Sequence, residues 1–392
     1  MTPAARTQAA IELLDAILAA AREGGAAADT LIARYFAARR YAGSKDRRAV
    51  RELVYSAIRL AGEAPPSGRA AMLAVAARDP SLAASFDGSA HGPPPIRAKE
   101  PAAGAGIAPQ WLLDQFLASG LTADEAAALI GRAPLDLRIN TLRTTRDALA
   151  NGQLDGAVAI PGLPDAIRLP SGFNVEPLAG LAEVQDAGSQ FVTLAAKAAP
   201  GTAVVDLCAG GGGKTLALAA AMRNQGRILA CDTDRGRLSR LAPRADRAGV
   251  TIVETRLLDP KNEAEAVADW RSAADVVLVD APCSGTGTWR RNPEARWRIT
   301  PARLERLIAT QAHVLDVAAP LVRPGGALVY IVCSLLDGEG AGQVDQFLAR
   351  HSGWAAESLA LPAGRRHGEG LRLQPATDGT DGFFVARLMA PC

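Results

Sequence analysis

The chain has 392 residues, of which 48% are hydrophobic and 21% charged, and 43 basic against 41 acidic side chains leave a net charge of +2. This composition excludes a wholly disordered chain and gives no global basic footprint for nucleic acid, so any such footprint is local. No run of about 18 apolar residues occurs, and Arg6, Glu12 and Asp15 interrupt the N-terminal apolar stretch, which argues against a membrane span and a signal-peptide core.

The expectation is a cytoplasmic monomer with no membrane partner. At about 150 residues per domain the length predicts two or three domains. Residues 1–78 read as all helix. Ile11, Leu13, Leu14, Ile17 and Leu18 recur at helical spacing, as do Val50, Leu53, Val54, Ala57 and Ile58. Between them Arg34, Arg39, Arg40, Lys45, Arg47, Arg48 and Arg51 face the single acid Asp46. The stretch is either a solvated helix face or a phosphate-contacting patch, with Arg47 and Arg48 as the candidate contacts.

Residues 79–107 have no periodicity and are punctuated by Pro80, Gly88, Pro93, Pro94, Pro95 and Pro101, which predicts a linker. Residues 108–180 suggest a small mixed α/β module, with helical pieces near 111–117 and 123–129 and strand-like runs at 135–139 and 158–160. From 181 to 392 apolar runs at 203–208, 227–232, 251–255, 275–280 and 327–333 alternate with helical stretches at 214–222, 234–248 and 302–318. That alternation predicts a mostly parallel, doubly wound α/β sheet. A last run at 382–388 has no helix after it and fits an edge strand.

The first of these strands ends in Asp206-Leu207-Cys208-Ala209-Gly210-Gly211-Gly212-Gly213-Lys214-Thr215, a glycine turn opening a helix. The glycines let a ligand approach the backbone, and a helix start offers free N–H groups. Two classes use this geometry. A P-loop ends in Gly-Lys-Thr, as here, but needs a glycine where Cys208 stands. A Rossmann-like nucleoside site needs an acid about 20 residues on, at the end of the second strand, and Asp232 is there.

The five cysteines form no C-x-x-C pair, and no histidine lies at metal-ligand spacing, so neither a disulfide framework nor a metal site is expected. Cys208 and Cys231 read as small hydrophobes. Cys283, in Asp280-Ala281-Pro282-Cys283, and Cys333, in Val332-Cys333-Ser334, instead fall at strand ends on the edge where open α/β sheets bind ligands. A thiol beside a nucleoside cofactor suits the C5 chemistry of a pyrimidine. A thiolate adding to C6 makes C5 enamine-like and able to attack an electrophilic methyl, and an acid near N3 stabilises the developing charge. A base then removes the C5 proton and the thiol is expelled.

The glycine turn together with 280–287 resembles the RNA cytosine-5 methyltransferases of the Sun/Fmu family, as do Val184-Gln185-Asp186 with Ser189, Arg290-Arg291-Asn292-Pro293-Glu294, Cys333-Ser334-Leu335 and Gly379-Thr380-Asp381-Gly382-Phe383-Phe384. The likeness covers about 181–389. It implies an S-adenosylmethionine-dependent methyltransferase fold acting on RNA, with small-subunit ribosomal RNA as the expected substrate and transfer RNA as the alternative. It implies that Cys208, Ala209, Gly210, Gly211, Gly212, Gly213, Lys214, Asp232, Arg237, Asp259 and Asp280 line the cofactor site. It further implies that Cys333 attacks, that Cys283 assists product release, and that Asp280 contacts the cytosine. Arg290 and Arg291 join Arg47 and Arg48 as RNA-binding candidates. A second resemblance, to a NusB-like helical domain, rests on Arg34-Tyr35-Phe36, Gly43-Ser44-Lys45-Asp46-Arg47-Arg48, Val54-Tyr55 and Arg59. The sequence departs from the family at Gly210-Gly211, where Ala-Pro is usual, and at Ile331-Val332, where Ser-Thr is usual. The reading from another class, a catalytically silent RNA-binding factor, is opposed by intact Asp280, Cys283 and Cys333.

Overall fold

The computed structural model describes the backbone of residues 1–392 and the side chains of all but 150–153. Contacts divide the chain into two compact units, Met1–Arg132 with Thr288–Thr300, and Ala133–Gly287 with Pro301–Cys392.

The first unit is helical. Its helix Pro3–Glu23 starts where the Thr2 side chain accepts from the Ala5 N–H and proline occupies the first turn, and it stops at Gly24 in the left-handed region. The helices Ala28–Ala37, Ser44–Leu60 and Gly68–Ala76 pack with it around Leu13, Leu14, Ile17, Val50, Val54, Ile58 and Met72. The linker expected at 79–107 is instead a packed strap of this unit. Leu82 and Phe86 are buried in the helical core, Arg69 bridges Glu100 at 2.5 Å, and the Ala103 N–H donates to the Ala70 carbonyl at 2.9 Å. Proline and glycine removed helical periodicity here without removing contacts. The helices Gln110–Ala118 and Ala123–Ala128, expected in the mixed module, also belong to the helical unit.

A segment from far along the chain completes this unit. Trp297 joins the helical core, and the buried Arg296 donates to the carbonyls of Ile58 and Ala61. Glu294 Oε1 accepts from the Ala28 N–H at 3.0 Å, and Arg298 reaches the carbonyls of Gly25 and Ala26. Trp289 meets Phe116 edge-on at 5.5 Å. The domain expected at 181–392 is therefore interrupted at 288–300.

The second unit holds two sheets. The small one comprises β1 (Leu135–Ile139), β2 (Val158–Ile160), β3 (Leu163–Leu169) and β4 (Ala182–Val184), in the order β2-β3-β1-β4 with antiparallel pairings. Its last strand lies beyond the boundary expected at 180. The large sheet comprises β5 (Ala203–Asp206), β6 (Arg227–Asp232), β7 (Val253–Leu257), β8 (Ala274–Asp280), β9 (Val322–Val332), β10 (Ala355–Glu357), β11 (Arg365–His367), β12 (Gly370–Leu373) and β13 (Phe383–Met389). Its order is β11-β12-β13-β9-β8-β5-β6-β7, with β10 pairing β13.

The five strands from β5 to β9 run parallel, as the alternation predicts. The last long strand is a correction to the edge assignment. β13 lies inside the sheet, antiparallel to β9 on one side and paired with β12 on the other, and Phe383 through Leu388 are buried. A strand covered on both faces reads as continuously apolar, so composition alone cannot tell an edge from an interior position. The helix expected over 234–248 is broken into Arg235–Leu238 and Leu241–Ala248, because Pro243 cannot donate to the turn before it. Two apolar cores flank the sheet, one around Leu216, Leu241 and Ile331, the other around Leu315, Val332 and Phe347.

Because Trp297 is 8% exposed and fills the helical core, Trp297→Ala should destabilise the first unit by about 3–5 kcal/mol. Chemical denaturation followed by far-UV circular dichroism measures it, and a loss under 1 kcal/mol would place Trp297 outside that core.

Candidate functional site

Parallel pairing puts the carboxyl ends of β5, β6, β8 and β9 on one edge. The register sets Asp280 of β8 opposite Ile331 of β9. Three residues beyond the first and two beyond the second are Cys283 and Cys333, whose Sγ atoms lie 3.4 Å apart. The Cys283 thiol is pushed well up by its hydrogen bond to Cys333 and by burial.

A cavity of about 460 Å³ opens on this edge. Cys208, Asp232, Arg237, Asp280, Cys283 and Cys333 line it, all of them residues expected at the site. Asp232 ends β6 and is 6% exposed, and its carboxylate is fixed by the backbone, since the N–H groups of Gly210 and Asp234 each donate to it at 2.7 Å. Lys214 is buried and its Nζ meets Asp280 Oδ2 at 2.6 Å.

The glycine turn works differently from the expectation of ligand access alone. The Gly210 N–H is committed to Asp232, and the Gly211 carbonyl accepts from Arg244. Gly212 has φ +84°, and a Cβ there would sit 2.0 Å from Leu241 Cδ1. The position thus needs glycine for both conformation and packing. The P-loop alternative fails on the same turn. Lys214 is paired with Asp280, and the Thr215 hydroxyl, fully buried, donates to Asp206 at 2.7 Å, so neither group faces a phosphate or its magnesium.

Other expected residues fall outside the cavity wall. Ala209, the four glycines and Lys214 do not line it. Asp259 is exposed and accepts from the Lys261 N–H across its own turn, while its neighbours Leu258 and Pro260 line the cavity. The buried Cys231 is pushed up to about 12 by burial, which fits its reading as a small hydrophobe. Cys208 is held above its ordinary range by burial and by the carboxylates of Asp206 and Asp232.

In the helical unit Arg48 is exposed, and so is Arg47, whose Nε donates to the Ala42 carbonyl at 2.8 Å. The only acid of that stretch, Asp46, is held by Arg6 and the chain's amino group. Arg290 is a correction. It is buried and donates to the Arg132 carbonyl at 3.3 Å, so it is a packing residue rather than an exposed phosphate contact. Arg291 is half-buried in the same segment.

Sequence reasoning missed two groups. Arg303, Leu307, Thr310 and Val314 line the cavity from one face of the helix Pro301–Ala318, and their three- and four-residue spacing was the available signal. The other is Glu339, fully buried behind the thiols. Its Oε1 accepts from the Ser284 N–H at 2.7 Å and from Gln311 Nε2 at 3.0 Å, and its Oε2 accepts from the hydroxyls of Ser284 and Ser334. The hydroxyl oxygens of Ser284, Thr286 and Ser334 lie 3.1–3.2 Å apart beside this carboxylate. Nothing in the spacing of Glu339 marks it. It is visible only once the two turns are folded together.

The quoted motifs also meet in space. The Asp381 N–H donates to Asp186, the Gly382 N–H donates to the Gly287 carbonyl at 2.8 Å, and the Gly287 N–H donates to the Cys333 carbonyl at 3.0 Å. A Cβ on Gly287 would lie 2.1 Å from the Gly382 oxygen, so this contact requires glycine.

Residues 193–389 match the family described as 16S rRNA methyltransferase RsmB/F. The chain is 36% identical over 301 residues to a probable ribosomal RNA small subunit methyltransferase B of Synechocystis, covering 71% of this chain and 66% of that protein. It is 36% identical over 269 residues to ribosomal RNA small subunit methyltransferase B of Pectobacterium carotovorum, covering 66% and 60%. The chain thus spans somewhat under two thirds of the length of these relatives. Among solved structures it is similar to the protein PH0851, with a TM-score of 0.79 at 24% identity over 99% of both chains. It is also similar to a methyltransferase homologue from Pyrococcus horikoshii, with a TM-score of 0.59 at 26% identity over 72% of this chain and 99% of that one.

Asp206 gives a pH signature. Burial pushes its carboxyl up to about 7, and among the described residues its Oδ1 has no hydrogen-bond partner, as suits a neutral acid. The neutral form therefore stabilises the fold fully below about pH 4, and that contribution is lost as pH rises through about 7. Asp206→Asn should flatten the fall in melting temperature between those limits. Parallel curves for the two proteins would contradict the assignment.

Proposed function

The chain belongs to the family described as 16S rRNA methyltransferase RsmB/F, whose cofactor is S-adenosylmethionine, and on that premise we propose that it methylates C5 of a cytosine in small-subunit ribosomal RNA through a covalent thiol adduct. The observation that carries this reading is the pair of thiols 3.4 Å apart at the ends of adjacent parallel strands, in one cavity with Asp232 and Asp280. Enzymes that alkylate through oxygen or nitrogen lone pairs have no need of a thiol adduct, whereas C5 of a pyrimidine is a poor nucleophile until C6 is attacked.

The cavity fits the cofactor. Asp232 is a carboxylate held by backbone donors at a strand end, as a ribose diol requires, and Leu207, Leu258, Val314 and Val317 give an apolar wall for a base. Arg237 lines the same wall. When bound, S-adenosylmethionine supplies an electrophilic methyl group on a sulfonium.

The chain's own residues do the rest. Cys333 Sγ adds to C6 and the C5–C6 double bond opens. Asp280, tied to Lys214, faces the N3 edge, and a proton passed from the Lys214–Asp280 pair to N3 neutralises the negative charge that develops there. After transfer the C5 proton leaves to a base, the double bond re-forms, and the C6–S bond breaks. Cys283 sits against Cys333 with its thiol held protonated, so its S–H can donate to the departing sulfur. That contact supports Cys283 as the releasing group, and the assignment of Cys333 as nucleophile rests on the likeness to the family.

Two measurements test the proposal. With substrate RNA and S-adenosylmethionine, Cys283→Ala should accumulate a protein–RNA band on a denaturing gel and Cys333→Ala should give none. The reverse pattern would make Cys283 the nucleophile. For the RNA partner, Arg47→Ala with Arg48→Ala should lower the slope of log affinity against log salt by about 1–2, since each phosphate contact releases counterions. An unchanged slope would make the stretch a solvated helix face.

A further inference from the structure

Resting on that reading of the two thiols, we propose that Glu339 is a positioning residue of the reaction, a buried carboxylate that ties the residue after Cys283 to the residue after Cys333.

The two thiols sit on different turns. Strand pairing holds those turns up to Asp280 and Val332. Beyond it the Ala281 N–H donates to the Ile331 carbonyl, the Gly287 N–H to the Cys333 carbonyl and the Leu335 N–H to the Thr286 hydroxyl, but none of these bonds holds Ser284, the residue directly after Cys283. Glu339 holds it from the loop after Cys333. Through Oε1 it holds the Ser284 N–H, which fixes the backbone of the residue directly after Cys283. Through Oε2 it holds the hydroxyl of Ser334, directly after Cys333, at 2.5 Å, and that of Ser284 as well. Gln311 closes the arrangement, since its Nε2 donates both to Glu339 and to the Pro282 carbonyl, directly before Cys283, at 3.0 Å each. The Tyr330 hydroxyl anchors the Glu339 carbonyl from β9 at 2.6 Å.

A fully buried carboxylate is costly unless its charge is met by donors, and four hydrogen bonds to two oxygens meet it here. Because the donors come from both turns, the requirement to satisfy one charge becomes a requirement to keep the turns together. Neither serine alone could do this, since a hydroxyl lacks the acceptor capacity of a carboxylate. Glu339 does not line the cavity, so it acts through the cysteines and touches neither reactant.

The test uses the full-length chain and two variants that leave the carboxylate charge in place. Glu339→Asp keeps the charge but lacks the reach to serve both turns, and Ser334→Ala removes one donor. The first readout needs no substrate. The oxidant diamide converts the two thiols to a disulfide while it is itself reduced to the hydrazine, taking up both protons and both electrons. Closure of the Cys283–Cys333 disulfide, followed by mass spectrometry of the peptides, reports how well the sulfurs are juxtaposed. The second readout is steady-state methylation of RNA. Closure should slow about tenfold or more in both variants, and kcat should fall by up to about 100-fold with KM for RNA and for S-adenosylmethionine within about threefold of the parent. Closure at the parental rate in both folded variants would overturn the proposal, whatever their activity. Slowed closure in a chain that methylates no RNA would uphold the positioning role and overturn the proposed function instead.

Discussion

The parallel pairing of β8 with β9 is the constraint on which the site depends. Setting Asp280 opposite Ile331 decides that two residues fifty positions apart, Cys283 and Cys333, leave the sheet side by side. A slip of one residue would turn one of these strands over and send its thiol to the opposite face of the sheet. The apolar cores on the two faces guard against that slip, because Ile331 packs into one and Val332 into the other. Burial on both sides thus specifies the chemistry at the strand ends, although none of the core residues touches a reactant.

The same logic explains the glycine turn and Asp232. β5 and β6 end beside each other, and the Gly210 N–H finds its partner in the Asp232 carboxylate. The acid is oriented by backbone donors rather than by a flexible side chain, so it needs little reorganisation when it binds. Preorganisation of this kind lowers the cost of binding and recurs at the thiols, where a buried carboxylate takes the place of the backbone. On one edge, then, strand ends set position and hydrogen bonds set orientation.

Much of this was legible in the sequence because it follows from short-range pattern. Strands β5 to β9 announce themselves as apolar runs between helices, and their ends carry Cys208, Asp232, Asp280 and Cys333 to the wall of one cavity. What the sequence hid depends on contacts between distant segments. Residues 79–107 look like a linker because proline and glycine erase periodicity, yet Leu82, Phe86 and Glu100 pack into the helical unit. The interior position of β13 depends on which strands flank it, and a run of apolar residues does not carry that information. Arg290 reads as a phosphate contact by its charge and is buried by its neighbours. Glu339 lies in a loop without periodicity, and its importance arises only from the two serines that fold onto it.

On the proposed mechanism Cys333, rather than Cys283, forms the bond to the pyrimidine. RNA carrying 5-azacytidine at the target position tests it most directly, because nitrogen at position 5 has no proton to lose and the adduct cannot collapse by elimination. After incubation of the unmodified chain with this RNA and S-adenosylmethionine, digestion and mass spectrometry identify the peptide that retains the nucleotide. Attachment is expected at Cys333 alone. Attachment at Cys283 would contradict it.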